Sequence, residues 1–137
     1  MSTTVTIKKA FGAFESAVTV ELSVAGQRFG IGIPESLPAR LDPTPECLEL
    51  YKTPERLLRG CLAGASQGII NAAEEIRQSC GRISYIRLEG AHLPPRCAQA
   101  FGVAAALACL HAVGRDDLRP AVPTEGWKET ACTQAGR

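Results

Sequence analysis

Between Val18 and Val24, apolar Val18, Val20, Leu22 and Val24 alternate with polar Thr19, Glu21 and Ser23. A period of two is that of a half-buried strand. Ala25-Gly26 supplies a turn signal, and Phe29, Ile31 and Ile33 repeat the alternation, so the pattern predicts a hairpin. Val5 and Ile7 predict an earlier strand, ending in a Phe11-Gly12-Ala13-Phe14 loop. Prolines at 34, 38, 43, 45 and 54 disfavour both ladder bonding and helix, which predicts an irregular connection over residues 34–53.

A helix follows with a clear start. Thr53 is a good N-cap, Pro54 takes the first helical position and Glu55 complements the dipole. Leu57, Leu58, Cys61, Leu62, Ala65, Ile69, Ala72, Ala73 and Ile76 fall on one face, and Cys80-Gly81 ends the run. Arg82–Leu88 is predicted as a strand, with Ile86 and Leu88 inward and Arg87 outward, and Gly90–Pro95 as a loop. The second helix is predicted from about Pro95 to Val113, with Gly114 as its stop.

That second helix has no Lys, Arg, Asp or Glu from Cys97 to Val113. An all-round apolar helix needs cover on more than one side, yet this one is too short for a membrane span of about 20 residues. Gly60, Gly64 and Gly68 recur at four-residue spacing in the first helix, costing about 2–3 kcal/mol against alanine. Close packing of this stripe on Ala98, Gly102, Ala105, Cys109 and Ala112 would offset the cost, leaving the large side chains to face the sheet. The rival account is a homodimer contact through the second helix.

Together these elements predict an α+β two-layer sandwich of order βββαβα. A β-hairpin region precedes helix–strand–helix, and two helices pack on one face of a mostly antiparallel sheet. Residues 1–120 form the expected single domain and residues 121–137 a polar tail. A chain of 137 residues with 45% apolar and 21% charged content can build such a core without a staple. The six cysteines sit partly at helical core positions and nothing resembles a secretory signal, so reduced thiols and a cytoplasmic location are expected. A formal charge of +1 argues against a general polyanion binder, so any nucleic-acid contact has to be local.

The stretch Thr53–Pro120 resembles domain IV of elongation factor G, a fold shared with the C-terminal domain of small-subunit ribosomal protein five. The resemblance is carried by the Pro-acidic helix start, by Ile83-Ser84-Tyr85-Ile86-Arg87-Leu88-Glu89-Gly90, and by the Ala-rich Ala100–Leu107 helix. The loop before the last helix departs from the family, reading His92-Leu93-Pro94-Pro95-Arg96-Cys97. No Gly-x4-Gly-Lys-Ser/Thr occurs, so the nucleotide-binding half of such a factor is absent from the sequence. What the resemblance implies is contact with RNA or ribosome-associated partners.

Candidate chemistry is sparse. For RNA, Arg82 and Arg87 flank a strand and Tyr85 shares the Arg87 side, with Arg77, Lys8, Lys9 and Arg28 as further cations. An aromatic among arginines can stack a base, although the outward face of a sheet is often simply charged. For catalysis, His92 and Cys97 are the reactive pair: a thiol near a helix N-terminus, an imidazole to take its proton, and Arg96 to hold an anion. The bland account is a packed Cys and a surface His. No cofactor or metal site is expected, since the cysteines are scattered and no Cys-x2-Cys occurs. Gly64–Gly68 lies mid-helix, where backbone donors are already used, so it is read as packing. His111 is read as structural. The leading expectation is a binding domain without catalysis. A small Cys/His enzyme and a structural homo-oligomerisation unit are the alternatives.

Overall fold

Gly12 and Ala13 turn the chain between β1 (Ser2–Phe11) and β2 (Phe14–Ala25), and Gly12 takes φ +62, the left-handed region that glycine tolerates. The two strands pair antiparallel from Ser2 opposite Ser23 to Phe11 opposite Phe14. The structure, a computed structural model, describes residues 2–25, 39–76 and 82–135. Gly26, Arg28, the Phe29–Ile33 strand expected to complete a hairpin, Arg77 and the Cys80-Gly81 helix stop lie outside the described residues. β2 carries β1 along one edge and β4 (Arg82–Leu93) along the other, so both its ladders are used from Ala17 to Ser23. β1 and β2 form a hairpin.

The full sheet is five-stranded, ordered β3-β4-β2-β1-β5, with β3 (Ala39–Pro43) parallel to β4 and all other pairs antiparallel. The helices are α1 (Pro45–Tyr51), α2 (Pro54–Ile76) and α3 (Cys97–Ala112). This is the α+β class expected, with helices packed against a mixed sheet.

Two segments carry more structure than their composition announces. The Pro-rich connection holds β3 and α1, because its prolines fall where neither element needs an N–H. Pro43 ends β3, and Pro45 opens α1 behind Thr44. Thr44 caps α1 by accepting from the Cys47 N–H at 3.3 Å, and its hydroxyl donates to the Leu93 carbonyl at 2.8 Å, tying the turn to β4. After α3 the chain forms a 3-10 helix (Asp116–Ala121), and the polar tail forms β5 (Lys128–Ala135), which pairs with β1. Only Cys132 in β5 is even half-buried, so no alternation marks it; the open edge of β1 supplies the partner. β4 likewise runs five residues beyond the predicted Leu88, taking Gly90–Leu93 out of the expected loop.

α2 starts as predicted, with the Thr53 hydroxyl accepting from the Arg56 N–H at 3.2 Å. It buries Leu57, Cys61, Ala65, Ile69, Ala72 and Ile76. α3 is buried at every position from Val103 to Leu110, lying on β1 and β2 with α2 alongside. The glycine stripe does what its cost demands. An ideal Cβ on Gly64 would fall 2.0 Å from the Ala98 carbonyl oxygen, and one on Gly68 2.0 Å from that of Gly102. Gly60 departs from the stripe and faces the Tyr51 ring instead. Ala105 and Cys109, expected on a small stripe open to α2 or to a second copy, are fully buried within the chain itself.

Candidate functional site

Three surfaces bear on function. The first is the end of the sheet formed by the β1–β2 turn and the C-terminus of β4. Phe11 and Phe14 stack with ring centroids 5.6 Å apart and 18° between planes. Trp127 meets Phe11 edge-on at 6.0 Å, and His92 lies 6.1 Å from Phe14 on the other side. The row therefore reads Trp127–Phe11–Phe14–His92. Trp127 is buried, the phenylalanines are half-buried and His92 is exposed. His92 holds φ +51, a conformation that turns its side chain at the end of β4. Lys9 places its ammonium 5.4 Å from the Phe11 ring centre and donates to the Glu125 carbonyl at 2.8 Å. Lys128 stands opposite Lys8, whose partner is Glu15 at 3.8 Å.

The expected arginine face is placed differently. Tyr85 and Arg87 do share the outer side of β4, half-buried. Arg87 is fully engaged there, bonding Glu21 at 3.1 Å and also Glu89. Burial works against the charge on Arg87, but hydrogen bonds to the two carboxylates outweigh it and raise its affinity for the proton. Glu21 is desolvated too, yet hydrogen bonds from Arg87, Ser2 and Thr4 hold its carboxyl below the usual range. One cation flanked by two anions offers little to a phosphate. Arg82 opens β4 opposite Ala25. Arg96 stands exposed at the N-cap of α3.

The expected His92–Cys97 pair is not assembled. The Cys97 thiol points into the core, 3.7 Å from the Cys61 sulfur and 4.0 Å from that of Cys47, and all three are fully buried. The hydrogen bond with Cys61 and burial both push the Cys97 thiol up. Burial, aided by Cys97, pushes Cys47 up to about 12 and the neighbouring Tyr51 phenol also to about 12. Neutral, water-excluded thiols pack as small hydrophobes and make poor nucleophiles. His92, meanwhile, contacts Phe14. Among the described residues Cys47, Cys61, Cys97 and Cys132 are unbridged, and no group of three or more His, Cys, Asp or Glu is arranged to hold a metal ion. His111 Nδ1 meets Asp116 at 2.8 Å, consistent with a structural tie between α3 and the 3-10 helix.

The third surface is a groove of about 550 Å³ between α2, α3 and the Ala121–Glu125 segment. Val103 and Leu110, expected to face the sheet with the other large residues, border it. Among the described residues no helix is long and apolar enough to cross a membrane.

Sequence reasoning named Lys8, Lys9 and His92 but did not join them to Phe11, Phe14 and Trp127. A local signal existed: two phenylalanines flanking Gly-Ala between alternating strands place their rings opposite each other in a hairpin. Trp127 carried no such signal, since its partner lies 116 residues away in the chain.

No protein-family model, no curated protein and no solved structure matches this chain.

Proposed function

We propose that this is a non-catalytic binding domain acting in the cytoplasm, whose Phe11–Phe14–His92 end contacts single-stranded RNA, free or ribosome-associated. The observation that carries the reading is the continuous aromatic row with Lys9 over its ring. Aromatic faces stack unpaired bases of any sequence, and a flanking cation takes a phosphate. The resemblance of Thr53–Pro120 to domain IV of elongation factor G supports the same partner class. The burial and high proton affinity of the Cys97 thiol weigh against the Cys/His enzyme as the alternative.

The test is fluorescence anisotropy of a labelled oligouridylate, alongside co-sedimentation with ribosomes, at low and moderate salt. Phe14→Leu keeps an apolar side chain but removes the ring, and about tenfold weaker binding is expected. One phosphate contact through Lys9 gives a salt slope near −0.7, so raising salt fourfold costs about two- to threefold. Arg87→Ala should bind as the parent does. Absence of binding at low salt, or dependence on Arg87 in place of Phe14, overturns the reading.

A further inference from the structure

We infer that the groove between α2 and α3 is a binding site for a small amphiphilic organic amine, independent of the RNA-binding end. Its floor is apolar and smooth: Gly68 and Gly102, where the backbones nearly touch, continue into Ala72, Val103, Ala106 and Leu110. The Ala121–Glu125 segment makes the third wall. A volume of about 550 Å³ is that of a small-molecule site, which takes its specificity from a few convergent polar groups over an apolar lining.

Among the described residues, the charged groups at that rim are all of one sign. Glu74, Glu75 and Glu125 carry negative charge, and Gln67, Asn71 and Gln99 carry amides, while among the described residues no Lys or Arg lines the groove. Gln67 donates to Asn71 at 2.9 Å, which fixes both amides on the rim. Lys9 reaches the Glu125 carbonyl but is not among the lining residues. An ammonium at this rim meets carboxylates and amide oxygens, and its apolar body covers the Gly–Ala–Val floor. A carboxylate or phosphate ligand meets three like charges, so the groove discriminates against RNA as well.

The experiment is an NMR titration of the whole chain with hexylamine, with hexanoate and hexanol as length-matched probes. The expected result is saturable binding of hexylamine with amide shifts concentrated at Gly68, Gly102, Val103 and Ala106, and at least about fivefold weaker binding of the other two. Glu75→Gln with Glu125→Gln changes only exposed side chains and should weaken hexylamine about two- to fivefold. Ala106→Leu, which extends into the groove, should abolish binding while the melting transition persists. Equal binding of amine, acid and alcohol overturns the assignment. So do shifts that scatter away from the groove, or a basic amphipathic peptide that occupies it where hexylamine does not.

Discussion

Gly68 and Gly102 bring two helix backbones so close that a methyl group on Gly68 would lie 2.0 Å from the Gly102 carbonyl oxygen. Gly64 stands in the same relation to Ala98, one turn earlier on both helices, so α2 and α3 run in the same direction at their contact. The interior glycines cost the isolated helix, and the close approach recovers that cost through backbone packing.

Gly68→Ala should therefore destabilise the domain by about 2–4 kcal/mol, although alanine is the better helix former by about 1 kcal/mol. Gly60→Ala is the control. There the added methyl meets only the outer ring atoms of Tyr51, which can turn aside. Its stability should stay within about 1 kcal/mol of the parent in urea unfolding.

The thiols offer a second check. Cys97, Cys61 and Cys47 should alkylate no faster than the domain opens, and Cys132→Ser should remove a fast phase contributed by its half-buried thiol on β5. Rapid alkylation of Cys97 in the folded protein, measured by peptide mapping, would restore the enzyme reading.

Acid stability should report the Glu21–Arg87 pair. The Glu21 carboxyl is held below its ordinary value when folded, so its contribution is present above the unfolded value, near 4.5, and is lost as pH falls through the folded one. Glu21→Gln should flatten that part of the pH–stability curve. At pH 7 Arg87→Ala should cost about 1 kcal/mol, since the pair is partly exposed. An unchanged acid limb in Glu21→Gln would show the pair to be inert.

Deleting residues 128–137 should lower the melting temperature and promote self-association. The deletion uncovers the β1 edge from Ser2 to Lys8, and an unpaired edge recruits other chains. A tail without structural weight would leave both the transition and the sedimentation behaviour unchanged.

By itself the sequence determined the elements whose evidence is local. The alternation of Val18–Val24 made a strand, Thr53-Pro54-Glu55 started a helix, and the uncharged Cys97–Val113 run made a helix that had to be covered. The glycine spacing even foretold the α2–α3 contact. Only the tertiary structure decided the rest, because it depends on partners far apart in the chain. β5 is a strand because β1 has a free edge, α1 because Leu93 anchors its cap, and Arg87 is neutralised because Glu21 lies across the ladder. Cys97 turns away from His92 because it packs among two other buried thiols, and the aromatic end exists because Trp127 returns to Phe11. Local pattern sets which face of an element is apolar. Which residues meet across the fold follows from how those faces are paired.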